Sequence, residues 1–136
     1  MSEPIWIGEA DVLAIHDRLL DLHGGRAGLR DDSLLKSALA RPLQHVTYSS
    51  GVDIIDLAML YTAGIVRNHP FVDGNKRTGF VTGVLFLELN GYRFTASETD
   101  AAQAVLDLAA GVLDEKGFGE FLRVNAKRPI EPAARM

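Results

Sequence analysis

The sequence predicts an all-α fold, a single compact bundle of about six helices in which a polar motif loop joins two central members. Three observations predict it. Apolar residues recur at helical spacing, as at Val12, Ile15, Leu19 and Leu22. Two long apolar segments, Ile54 to Asn68 and Thr78 to Asn90, flank the polar, turn-forming stretch His69 to Gly79. The chain has 136 residues with 47% apolar content, enough for one domain with a real core, and no internal repeat, low-complexity tract or linker divides it.

Taken in order, Trp6-Ile7 reads as a short extended piece, and a first helix runs from about Glu9 to the glycines Gly24-Gly25. Gly24 to Asp32 is a surface loop rich in glycine and charge. Asp32 or Ser33 caps a second helix through Leu34, Leu35, Ala38 and Leu39, which Pro42 is expected to end, leaving Leu43 to Val52 irregular. The third helix starts near Asp53 and carries Ile54, Leu57, Ala58, Tyr61 and Ile65 on one side. The fourth, with Phe80, Val81, Val84, Leu85, Phe86, Leu87 and Leu89, is apolar nearly all round, which predicts burial in the middle of the bundle. Gly79 and Gly83 inside it would each cost about 1 kcal/mol relative to Ala, so a close neighbour is expected there. Asn90-Gly91 closes this helix, Tyr92-Arg93-Phe94 is briefly extended, and Ser97-Glu98-Thr99-Asp100 opens a fifth helix through Leu108. A last helix spans roughly Glu120 to Asn125, so that residues 1–128 form the domain and 129–136, with two prolines and little to bury, a frayed tail.

Composition excludes several classes. A net charge of −4 gives no general affinity for nucleic acid or anionic membrane, so any positive patch is local. Without cysteine there is no disulfide framework, thiolate metal site or thiol nucleophile. The start lacks a basic region followed by an apolar run, and the longest apolar run, Val84 to Leu87, cannot span a bilayer. A soluble, cytoplasmic protein is expected.

The chemistry concentrates in the loop. Pro70 and Asp73-Gly74 bend the chain between two helices, delivering His69 from the end of one and Asp73, Asn75, Lys76 and Arg77 to the start of the next. A helix N-terminus is the positive end of its dipole, where a cation is unfavourable by roughly 0.3–1 kcal/mol. Two cations there, with free backbone N–H groups, suit a phosphate. Asp73 supplies an oxygen that would hold a Mg²⁺ bridging phosphate oxygens.

The stretch His69-Pro70-Phe71-Val72-Asp73-Gly74-Asn75-Lys76-Arg77 resembles the signature of the Fic/Doc superfamily, and within it the death-on-curing (Doc) branch of toxin–antitoxin toxins. Gly24-Gly25, Gly28-Leu29-Arg30-Asp31, Ser37 to Pro42 and Asn90-Gly91-Tyr92 extend the resemblance over roughly residues 8 to 125. Adenylylating members are similar to His-Pro-Phe-x-Asp/Glu-Gly-Asn-Gly-Arg-x-x-Arg. Here Lys76 stands in place of the glycine and Phe80 in place of the second arginine. A lysine fills with a point charge the space that a glycine leaves open to a diphosphate, and loss of the distal arginine removes a γ-phosphate contact. The Doc branch shares both changes.

The resemblance implies an all-α Fic/Doc-like fold and a nucleotide bound in reverse, so that the γ-phosphate of ATP, rather than AMP, passes to a protein hydroxyl. The substrate class implied is a threonine of translation elongation factor Tu, and the effect arrest of translation. In this mechanism His69 takes the hydroxyl proton, the imidazole being suited to proton transfer near neutral pH. Lys76 and Arg77 stabilise charge on the transferred group, Asp73 holds Mg²⁺, and Asp73, Gly74, Asn75, Lys76 and Arg77 surround the phosphates. Two other readings stay open, an adenylyltransferase of the ordinary Fic type and a non-catalytic nucleotide- or partner-binding bundle.

Plainer roles stand beside these. Asn75 would cap the fourth helix or shape the turn, and Phe71 would anchor the loop in the core. His16, His23 and His45 lack partners at metal-ligand spacing and read as structural or solvated. Arg30, Asp31 and Tyr48 would lie on a flap gripping a substrate segment, outside the catalytic set. No inhibitory Ser/Thr-x-x-x-Glu-Gly/Asn helix is present, so inhibition is expected in trans. The resemblance implies a small antitoxin whose tail folds into a groove of the bundle, and which makes any DNA contacts itself.

Overall fold

Side-chain caps set most helix starts in the computed structural model, which describes residues 3–128. Helix α1 (Glu9–His23) begins where the Asp11 carboxylate accepts the Gly8 N–H at 2.9 Å, and ends at Gly24. Helix α2 (Asp32–Tyr48) is capped by Asp31, whose carboxylate accepts from the N–H groups of Ser33 and Leu34. Helix α3 (Ile54–Asn68) has a reciprocal box between Asp53 and Asp56. Helix α4 (Asn75–Leu89) follows Gly74, α5 (Glu98–Ala110) follows Ser97, and α6 (Glu115–Asn125) follows Asp114. Strands β1 (Arg93–Phe94) and β2 (Ala126–Lys127) pair antiparallel, Arg93 opposite Lys127 and Phe94 opposite Ala126.

The all-α bundle of six helices is as expected, but α2 is capped by Asp31 rather than Asp32 or Ser33, and four further details differ. Pro42 does not end α2, which continues to Tyr48. A proline within a helix removes one hydrogen bond and crowds the carbonyl four residues back, costing about 3 kcal/mol or more. Here Pro42 and that residue, Ala38, are both buried, and Ala38 lies so close to α3 that a Cβ on Gly64 would sit 3.3 Å from its carbonyl oxygen. Packing against α3 and an ion pair from Arg41 to Glu115 at the start of α6 offset the cost, and the helix continues through the proline. Helix α4 begins at Asn75 rather than Thr78, and α6 at Glu115 rather than Glu120, with Asp114 capping it through the N–H of Gly117.

The fourth difference is which helix is central. Ten of the fifteen residues of α3 are buried, whereas Phe80, Val81, Val84 and Leu85 of α4 are only partly covered and Leu89 is exposed. The buried stripe of α4 is mostly small and polar, Asn75, Thr78, Gly79, Thr82 and Gly83, followed by Phe86 and Leu87. Its glycines explain this. A Cβ on Gly83 would collide with Thr62 Oγ1 and lie 3.0 Å from the Ala58 carbonyl oxygen, so α3 and α4 meet backbone to backbone. Thr62 Oγ1 donates to the Gly79 carbonyl at 2.8 Å across this seam.

At the other end Tyr61 and Phe86 pack with ring centroids 4.9 Å apart, and the Tyr61 hydroxyl both donates to the carbonyl and accepts from the N–H of Ile7. That bond fixes the segment around Trp6-Ile7, which forms no strand. No helix among the described residues is long and apolar enough to cross a membrane. The tail expected to fray, 129–136, lies outside the described residues.

Candidate active site

The bend between α3 and α4 is built from the inside by Asn75. Its side-chain carbonyl accepts the Phe71 N–H and its amide nitrogen donates to the Phe71 carbonyl, each at 2.9 Å, in a buried setting. Of the three roles open for Asn75, turn shaping, capping and phosphate binding, the side chain is taken up by the first, with both its ends bonded to the Phe71 main chain. Phe71 is 1% exposed and anchors the loop as expected. The N-cap position belongs to Gly74, in the left-handed region at φ 81°, where only glycine is free of strain.

His69 ends α3 in the left-handed conformation, φ 53° and ψ 53°, the only non-glycine residue of positive φ among those described. Its backbone is tightly held. The N–H donates to the Ile65 carbonyl at 3.1 Å, and the carbonyl accepts from Arg30 Nε at 2.7 Å. Arg30 Nη2 also donates to the Asn68 carbonyl at 3.0 Å, so this guanidinium satisfies the open end of α3. The imidazole itself is left exposed.

From the other side, residues 28–31 lie along 70–72 like a strand. Leu29 bridges Phe71, Val72 N–H donates to the Gly28 carbonyl, and the N–H groups of Arg30 and Asp31 both donate to the Pro70 carbonyl. The substrate-gripping flap expected of Arg30, Asp31 and Tyr48 is therefore corrected for the first two. Arg30 is spent on α3, Asp31 caps α2, and Tyr48 is the last residue of α2, 84% exposed. A loop rich in charge looks like a grip only until its side chains have partners inside the fold.

Asp73 is held by backbone alone. One carboxylate oxygen accepts the Arg26 N–H at 3.1 Å and the other its neighbour Gly74's at 2.9 Å, and these bonds, Arg26 first, hold its pKa below the usual carboxylate value. The carboxylate is thus ionised and exposed, with lone pairs left over. Among the described residues no three His, Cys, Asp or Glu side chains gather to hold a metal. One ionised carboxylate beside Lys76 and Arg77 would suit Mg²⁺, which keeps water and phosphate oxygens in its shell, and not the closed cage of a structural zinc.

These groups open on one cavity of about 490 Å³. His69, Asp73, Gly74, Asn75, Lys76 and Arg77 line one side. Phe80 with Glu98, Ala101, Ala102, Val105 and Leu106 of α5 lines the other. Every residue expected at the site is brought together. Lys76 and Arg77, in the first turn of α4, are exposed and ion-paired with no carboxylate among the described residues. Two cations over the positive end of a helix, beside free N–H groups, make an anion seat, and a mostly apolar wall opposite suits the flat or aliphatic part of the same ligand.

The α5 wall was not legible in the sequence, because Ala101, Ala102, Val105 and Leu106 read there as ordinary helix face. Nor was the part played by the Gly24 to Arg26 turn, whose glycines marked a helix end and nothing more.

Comparison with known proteins points to one family. The model of the Fic/DOC family matches residues 6–87, more than half of the chain, including the whole bend. Over 117 residues the chain is 27% identical to the "Protein kinase doc" of Escherichia phage P1, an alignment covering 86% of this chain and 92% of that one. Over 92 residues it is 38% identical to the "Toxin Doc" of Mycolicibacterium smegmatis, covering 64% of this chain and 68% of that one.

Proposed function

The chain belongs to the Fic/DOC family, on its Doc branch, and from that premise we infer that it is a toxin that transfers the γ-phosphate of ATP to a protein hydroxyl. The observation that carries this reading is the convergence of His69, Asp73, Lys76 and Arg77 on one cavity, with both cations unpaired among the described residues at a helix N-terminus. The names of the two relatives, a protein kinase and a toxin, support it. So does Lys76, which stands where the adenylylating motif has a glycine.

The chain's own groups would act as follows. His69, free in its side chain and fixed in its backbone, accepts the proton of the attacking hydroxyl as oxygen bonds to the γ-phosphorus and the bond to the β-phosphate oxygen breaks, leaving ADP. Lys76 and Arg77 neutralise charge on the transferred group, and the N–H groups at the start of α4 bind phosphate oxygens. Mg²⁺, held by Asp73, supplies further neutralisation of phosphate charge when bound. The α5 wall with Phe80 receives the less polar part of a ligand.

The substrate proposed is a threonine of elongation factor Tu, whose modification arrests translation in the cytoplasm, and the proposed regulator is a small antitoxin acting in trans as part of a type II toxin–antitoxin system. No direct contact with nucleic acid or membrane is proposed for this acidic chain. The test offers the purified protein ATP labelled at the α or the γ position, with elongation factor Tu present. Label from the γ position reaching a threonine supports the reading. Label from the α position makes the chain an adenylyltransferase instead, and label from neither leaves a binding module.

A further inference from the structure

Helix α1 buries only two residues, Val12 and His16, and the second is a histidine. It is 3% exposed, and the bend of the site is wrapped around its ring. Phe71 stacks on one face with centroids 3.8 Å apart and planes 8° from parallel. A Cβ on Gly74 would lie 3.6 Å from the imidazole edge. Between them, Nε2 stands 2.8 Å from the backbone oxygen of Asp73. A carbonyl oxygen only accepts, so Nε2 carries the proton and donates it. Burying an imidazole at a position where leucine would pack needs a compensating bond, and this one goes to the residue whose carboxylate faces the cavity.

The loop that follows this helix reaches Asp73 as well. There the Arg26 N–H donates to the Asp73 carboxylate, and Gly25, at φ 118°, passes so close that a Cβ there would be 3.0 Å from Oδ2. Asp73 is therefore gripped at its main chain by His16 and at its side chain by the turn that closes α1.

We propose that His16 is a positioning residue for the cation site, fixing the Asp73 main chain through Nε2–H so that its carboxylate points at the nucleotide phosphates. Such outer partners orient a ligating carboxylate, and their loss commonly weakens metal binding 10–100-fold. The proposal rests on the reading of Asp73 as the cation's protein ligand.

The test titrates Mn²⁺ into the full-length protein with a non-hydrolysable ATP analogue present, counting free Mn²⁺ by electron paramagnetic resonance against a titration of the analogue alone. The protein itself is compared with Asp73→Ala, His16→Phe and His16→Gln, each first shown to be folded by thermal unfolding. Asp73→Ala is expected to abolish tight binding. His16→Phe keeps an aromatic face toward Phe71 but loses the donor, and is expected to weaken binding at least tenfold. His16→Gln, whose amide nitrogen reaches the place of Nε2, restores most of it. Wild-type Mn²⁺ affinity in folded His16→Phe overturns the proposal while leaving the metal reading intact; wild-type affinity in Asp73→Ala overturns both. Nitrogen-15 spectra of the unsubstituted protein give a check that needs no variant. They must show the Nε2-protonated tautomer of His16, and a bare Nε2 overturns the proposal even if His16→Phe does not fold.

Discussion

Asn75 closes both main-chain groups of Phe71, four residues before it, through two hydrogen bonds of 2.9 Å in a buried site. The bend that presents the active groups is thus clamped by one amide. Asn75→Ala leaves a buried N–H and a buried carbonyl without partners, and is expected to cost about 2–4 kcal/mol in urea unfolding. Transfer activity should fall with it, since Asp73 lies within the clamped turn and Lys76 directly follows it.

Removing the groups that face the cavity should act differently, on activity with little change in stability. His69→Ala is expected to slow transfer about 10²–10⁴-fold, the usual contribution of a positioned proton acceptor. Asp73→Ala should abolish growth inhibition, and Lys76→Gly should impair γ-phosphoryl transfer. Undiminished toxicity in all three variants, measured by growth after induction, would refute the kinase reading.

The seam between α3 and α4 is sensitive to a single methyl. Gly83→Ala puts a carbon into the space of Thr62 Oγ1, which is bonded to the Gly79 carbonyl and would have to give up that bond to move. Overpacking of this kind costs about 1–3 kcal/mol. In a Thr62→Ala background the same substitution should cost less, and a double-mutant cycle by urea unfolding measures the difference.

Acid should loosen the other side of the bundle. The Arg41 guanidinium binds both oxygens of Glu115, with Arg67 Nε at 3.8 Å, and holds the Glu115 carboxyl below its ordinary value of 4.5. A depressed folded value means stability that is present above about pH 4.5 and lost as pH falls through the folded value beneath it. Glu115→Gln is therefore expected to destabilise by about 1 kcal/mol at neutral pH, the pair being partly exposed, and to flatten this part of the stability curve below pH 4.5.

What could be read from the sequence follows from how local each signal is. Caps and stops depend on a few neighbouring residues, so the starts near Glu9 and Asp53 and the ends at Gly24 and Asn90 were legible. The site residues were legible because they are contiguous, and a bend between two helices can only bring them to one place. Pro42 misled because the cost of an internal proline is local while its compensation, burial against α3 and the bond from Arg41 to α6, is not. The apolar look of α4 misled because an apolar side chain advertises burial, whereas the side that is buried carries glycines and threonines chosen for closeness. His16 and Arg26 lie 57 and 47 residues from Asp73, and nothing local marks them as its partners.

His69 holds a backbone posture that glycine adopts freely and that other residues adopt at about 1–2 kcal/mol. His69→Gly should therefore unfold at higher urea than His69→Ala, though both lack the imidazole. A bundle shaped for sturdiness alone would place a glycine at that corner. The histidine leaves the scaffold a little weaker there, and what it brings in exchange is a ring offered to solvent from a main chain that cannot swing.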